Sequence, residues 1–244
     1  MTSGLAALKL ITTMERKFTF SVGEYYHLFS RGTARQKIFL DQRDYQRFLV
    51  LLYVSNAQET IHASDLNFKK IDAIFTAARG DTLTDIGAYC LMPNHFHLLV
   101  REKSEKGVSL FLRKLLTGYS MYFNKKYQRP GSLFGHPFGA QPVADDRHLK
   151  YLFAYIHLNP VKITDPTGWA GKRIADPALA QKFLKSYRFS SYFSYVKDNP
   201  CQYPETGAIV APAAFPDYFS GTNDFQGFID DWIEDGDANV KDNP

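Results

Sequence analysis

Cysteine is scarce in this 244-residue chain, limited to Cys90 and Cys201. Two cysteines exclude a disulfide framework, and without a Cys-x-x-Cys pair they exclude a thiolate zinc site. Any metal chemistry must therefore use histidine with oxygen ligands. Cys90 lies in an apolar run and reads as a small buried hydrophobe. No apolar run approaches the ~20 residues of a membrane span. The start, Met1–Ile11, lacks a basic leader ahead of a long apolar core. The expectation is a soluble, cytoplasmic protein. There is also no helicase-like phosphate loop and no internal repeat.

What is present is enough apolar material for a sizeable core: 45% of residues are hydrophobic, and the length suits one elaborated domain. The net charge of +4 is unevenly spread. Residues 217–244 hold eight acids against Lys241, which leaves 28 bases and 17 acids in residues 1–216, a net of +11. A basic body fits a polyanionic partner, although ordinary solubilising charge looks the same. The acidic tail reads as partly disordered or as a docking helix, since Phe225, Phe228, Ile229 and Trp232 fall on one helical face.

The most informative stretch runs from Tyr89 to Val100. Successive strand side chains alternate faces, so His95 and His97 share one face while Phe96, Leu98 and Val100 take the other. Pro93-Asn94 is turn chemistry and makes the segment a hairpin. Two imidazoles converging from a strand are a metal platform, or two half-buried histidines on a sheet. A second constellation lies downstream. Leu149, Leu152, Phe153 and Ile156 recur at helical spacing, with Tyr151, Tyr155 and Asn159 at four-residue steps along the flank. Pro160 ends the helix at Asn159. Read alone, this is a solvated tyrosine ladder.

The predicted order is strand Tyr25–Arg31, helix Asp44–Ile61, strands Ile86–Met92 and His95–Arg101, helix Val108–Tyr127, strand Gly139–Val143 and helix Asp146–Leu158. Residues 62–85 are a mixed polar insertion, and Pro160–Tyr187 a loop with a short helix. That order is β-α-β-β-α-β. The expected fold class is α+β: a ferredoxin-like split β-α-β antiparallel sheet with helices on one face, a C-terminal tyrosine-bearing helix and extra C-terminal segments.

Together these residues resemble the single-tyrosine transposases of the HUH endonuclease superfamily, most closely the REP-associated tyrosine transposases. The similarity runs through Tyr26-His27-Leu28-Phe29-Ser30-Arg31-Gly32, Met92-Pro93-Asn94-His95-Phe96-His97-Leu98-Leu99-Val100, Tyr119 to Tyr127, Tyr155-Ile-His-Leu-Asn159-Pro160-Val161-Lys162, and Tyr187 to Tyr192. It spans roughly Tyr25 to Val196. Ser30 replaces an expected Asn, and no basic residue stands near Gly139. The implied organisation is an N-terminal extension (1–20), a catalytic domain (21–165), a C-terminal extension packed on the core (166–216) and the acidic tail (217–244).

The resemblance implies a metal-dependent DNA endonuclease and strand transferase acting on single-stranded or hairpin DNA through a 5′-phosphotyrosine link. Tyr155 is the implied nucleophile, with Tyr151 its rival one turn away. His95, His97 and Asn159 are the implied ligands of Mg²⁺ or Mn²⁺, a mixed N/O set that leaves positions for substrate oxygens. His27 is expected to pack in the strand or touch DNA, His136 to approach substrate from its turn, and His157 to be structural. The DNA-contact candidates are Arg31, Arg113, Lys114, Lys125, Lys126 and Arg129; the aromatics interleaved on that helix are expected in the core. The chain is expected to act as a monomer or homodimer. A non-catalytic, domesticated hairpin-binding protein on the same fold is the alternative. Replication initiation or plasmid relaxation is a third reading, disfavoured by the short chain.

Overall fold

The structure, a computed structural model, describes residues 18–62, 66, 70–135, 138–166, 174–196, 203–219 and 222–235. Strand β1 spans Tyr25–Arg31, helix α1 Gln42–Ser55, α2 Ile71–Thr76, β2 Thr84–Met92, β3 His95–Glu102, α3 Gly107–Lys126, β4 Gly139–Pro142 and α4 Asp146–Leu158. Short helices α5 (Val161–Thr164), α6 (Pro177–Leu184) and α7 (Pro204–Ile209) lead to α8 (Thr222–Asp235). The sheet order is β2-β3-β1-β4, and every neighbouring pair is antiparallel. This is the expected split arrangement, with β3 inserted between β1 and β2.

Alternation along the strands gives the sheet two different faces. Tyr26, Leu28, Phe96, Leu98 and Val100 point one way and pack with Phe48 and Leu52 of α1 and Phe111, Leu115 and Tyr119 of α3. Each fully buried ring there contributes roughly 2–3 kcal/mol. Helix α4 crosses the opposite face, where Leu149, Leu152, Phe153 and Ile156 meet Ala88, Cys90, Met92 and Leu99. Helices therefore cover both faces, and of α1 to α4 only the tyrosine-bearing α4 takes the second one.

Helix ends follow local chemistry. Asp41 and Asp44 form a reciprocal capping box at the start of α1. That helix stops at Ser55, short of the expected Ile61, because the next residue has another task. Asn56 donates to Thr84 O at 2.8 Å and its Oδ1 accepts from Thr84 N at 2.9 Å, which ties the helix end to the start of β2. The polar insertion contains α2, whose Ile74 and Phe75 join the main core. Asp145 caps α4 by accepting from His148 N.

The C-terminal region packs on α4. Phe225, Ile229, Trp232 and Ile233 of α8 are buried with Ala154, Leu158, Val161 and Leu184. Of the two expectations for the acidic tail, residues 222–235 adopt the docking helix. Behind α4, His157 is fully buried. Its Nδ1–H donates to Phe153 O (2.8 Å), and Nε2 accepts from Ser191 Oγ (2.7 Å), which itself accepts from Tyr89 N. This network pins α4 to β2.

Candidate active site

Three imidazoles meet on the α4 side of the sheet. His95 and His97 come from β3, and His27 from β1. In register, Arg31 faces His95, Phe29 faces His97 and Leu99 faces His27. The diagonal neighbours His27 and His97 reach each other, with His27 Nε2 2.9 Å from His97 Nδ1. His95 and His97 rings lie 5.0 Å apart at 90°. On the other side of His95, its Nδ1–H donates to Asn94 Oδ1 at 2.6 Å. That bond turns the other ring nitrogen of His95, Nε2, towards the site, where Asn159 is a side-chain partner of His95.

Helix α4 brings the tyrosine over this platform. The Tyr155 ring meets His97 edge-on at 5.4 Å and His27 at 5.7 Å. One turn on, the buried Asn159 donates its Nδ2–H to Tyr155 O at 2.9 Å and contacts the His95 side chain. Tyr151 lies further out, its ring between Tyr155 (5.9 Å) and Trp232 (5.5 Å). The structure thus brings Tyr155, His95, His97 and Asn159 together in one chain.

Burial makes these histidines weak bases. It lowers His95 to about 4, helped by the charges of Arg31 and Lys162. It lowers His27 to about 4, with Gln141 bonding in the opposite sense. His97 is pushed well below its ordinary value, first by burial and then by its histidine neighbours. All three are neutral near pH 7, the state in which imidazole nitrogen donates to a cation. Among the described residues no three His, Cys, Asp or Glu side chains converge as a metal set. The candidate donors are instead two imidazoles and the Asn159 carboxamide, and they fit a divalent cation whose remaining positions go to water or substrate oxygens. Buried Cys90 sits opposite His97, and burial raises its thiol pKa, which keeps it neutral.

The family model described as "Transposase IS200 like" matches residues 22–159, more than half of the chain. The chain belongs to the IS200-like transposase family. A solved structure of a REP-associated tyrosine transposase bound to a REP hairpin is similar to this chain at 14% identity and a TM-score of 0.47, covering 74% of this chain and 83% of that chain. No curated protein matches. No described helix is long and apolar enough to cross a membrane.

The basic candidates of this IS200-like transposase divide in two. Arg31, Arg113 and Lys125 are exposed. Arg31 lies at the His95 edge of the sheet, and Arg113 lines an open groove with Leu112, Thr117, Met121, Asn124 and Phe134. The groove's outer wall is joined to β1 by Gly135 N donating to Arg31 O at 3.2 Å. The other three are engaged within the protein. Lys114 donates to Ala57 O (2.7 Å) and Glu59 O (3.3 Å). Lys126 pairs with Asp41 (2.8 Å) and the buried Asp44 (2.7 Å). Arg129 holds Ser132 O. Gly139 has no room for the basic residue expected near it, because a side chain there would collide with the Phe29 ring. His136 lies outside the described residues.

Sequence reasoning did not find the His27–His97 bond or the place of Lys162 beside Tyr155. The first depends on the β1–β3 register, which no local pattern reports. The second had a signal in the text, a lysine three residues after Asn159.

Proposed function

We propose that this IS200-like transposase cleaves and rejoins single-stranded or hairpin DNA, with Tyr155 as nucleophile. The observation that carries this reading is the packing of the Tyr155 ring over His97, one helical turn from Asn159 and beside His95. Tyr155 Oη attacks the scissile phosphorus. The Oη–P bond forms, the P–O3′ bond breaks, and the 3′-oxygen leaves with the electron pair and gains a proton, while the phenol proton passes to solvent. The product is a 5′-phosphotyrosine link and a free 3′-OH, and reversal onto another 3′-OH rejoins the strand.

His95 Nε2, His97 and Asn159 Oδ1 would hold Mg²⁺ or Mn²⁺, which supplies Lewis-acid stabilisation of the non-bridging oxygens when bound. The chain's own groups do the positioning. Asn94 orients His95, His27 orients His97, and the Asn159–Tyr155 bond secures the end of α4. Preorganised placement of this kind reduces the entropic part of the barrier. Since nucleophile and ligands come from one chain, a monomer suffices for the cleavage step. Arg31, Arg113 and Lys125 are the residues proposed to contact DNA phosphates.

The test uses labelled hairpins carrying single-stranded flanks, with Mn²⁺ or Mg²⁺, read on a denaturing gel. Wild type should form a covalent adduct that Tyr155→Phe and chelator both abolish. Tight hairpin binding without any adduct would favour a non-catalytic binder instead.

A further inference from the structure

Lys162 stands beside the proposed nucleophile and is used by nothing described above. Helix α5 is a single turn following Asn159-Pro160, and it folds the lysine back over the end of α4. Its Nζ lies 3.4 Å from Asn159 Oδ1 and 5.1 Å from the centre of the Tyr155 ring. Its charge acts on both His95 and His97. The side chain is half-buried. Among the described residues no carboxylate pairs with it; the ion pairs use Arg101, Lys106, Lys126 and Arg188. The titratable groups acting on it are the buried Cys90 thiol and Arg31, a second cation. A partly desolvated cation without an acid is costly, and the cost is recovered when an anion arrives from outside.

We infer that Lys162 is a catalytic residue whose ammonium clamps a non-bridging oxygen of the scissile phosphate next to the Tyr155 hydroxyl. This rests on the Tyr155 reading above. The ammonium stands on Asn159 Oδ1, the same oxygen proposed as a metal ligand. Lys162 and a divalent cation therefore oppose each other there, because two cations a few ångström apart repel. The charge of the phosphate lets both remain. Fixed positive charge aimed at the oxygens of a transferring phosphoryl group is the kind of contact that acts mainly on rate.

The test compares full-length wild type, Lys162→Met and Lys162→Arg. Mn²⁺ binding without DNA is followed by the loss of the free-ion paramagnetic resonance signal. Hairpin affinity is measured separately, and adduct formation is followed in single turnovers at saturating DNA and Mn²⁺. Lys162→Met should bind Mn²⁺ several-fold more tightly, bind the hairpin within about tenfold of wild type, and form adduct about 100–1,000-fold more slowly. Lys162→Arg should recover part of the rate. Adduct formation by Lys162→Met within a few-fold of wild type, or weaker Mn²⁺ binding, would overturn the inference while leaving the Tyr155 reading intact. Absence of adduct from wild type itself would overturn both.

Discussion

The two faces of the four-stranded sheet are built by the same strands and have opposite characters. One carries Tyr26, Leu28, Phe96, Leu98 and Val100 into a thick apolar core under α1 and α3. The other carries His27, Phe29, His97 and Leu99 under α4. A shift of one residue in the register of β3 would exchange its own members of the two sets, Phe96, Leu98 and Val100 for His97 and Leu99. The apolar face thus fixes where the polar one sits: burial of Phe96 and Leu98 aims His95 and His97 the other way. The comparison also explains the weak basicity of the histidines. They are buried by the scaffold on which they stand, with neutral neighbours and nearby cations in place of acids.

The largest effect should come from breaking the scaffold side. Phe96→Ala removes a fully buried ring and should cost about 3–5 kcal/mol in urea unfolding. A loss under about 1 kcal/mol would mean that the core collapses around the gap and that this face is no stiff support.

Acid should strain the α4 side. His157 is buried, and its pKa is lowered from 6.5 to about 4 by burial, partly offset by its bonds to Phe153 and Ser191. The unfolded chain therefore takes up its proton at higher pH than the folded one, so stability falls as pH drops from about 6.5 towards about 4. This group alone contributes on the order of 3 kcal/mol of that loss. Denaturant melts from pH 7.5 to 4.5 should show a smaller decline for His157→Gln than for wild type, and parallel declines would refute the assignment.

A third contrast separates orientation from stability. His27→Ala should leave unfolding within about 1 kcal/mol yet weaken Mn²⁺ binding 10–100-fold, since it removes the partner of His97 Nδ1. Equal Mn²⁺ affinity in both proteins would make His27 a packing residue. The smallest expected effects lie among the bases. Arg31→Ala should weaken hairpin binding and lower the salt slope by about one, whereas Lys114→Ala should leave that slope unchanged, its ammonium being held by Ala57 and Glu59. Equal changes in the two slopes would erase the distinction between exposed and engaged bases.

Much of this arrangement is legible without coordinates. Tyr25–Arg31 and Asp146–Leu158 are read to the residue, the first within the stretch that carries the family resemblance, the second from its apolar spacing and Asn-Pro stop. The shared face of His95 and His97 follows from strand period, and the stacking of Tyr155 with Asn159 from helical period. What escapes is long-range. The meeting of His27 with His97 needs the β1–β3 register. The engagement of Lys114 and Lys126 depends on partners 57 and 85 residues away. Helix α1 ends at Ser55, short of the Ile61 expected from sequence, because the Asn56 side chain is claimed by Thr84 from 28 residues away. The short α2 has too few residues to show a period.

The most direct test is to digest the protein–DNA adduct and locate the modified residue by mass spectrometry. The expected result is a single nucleotide-bearing peptide with the phosphate on Tyr155. A phosphate on Tyr151, or on any tyrosine away from His95 and His97, would contradict the site proposed here.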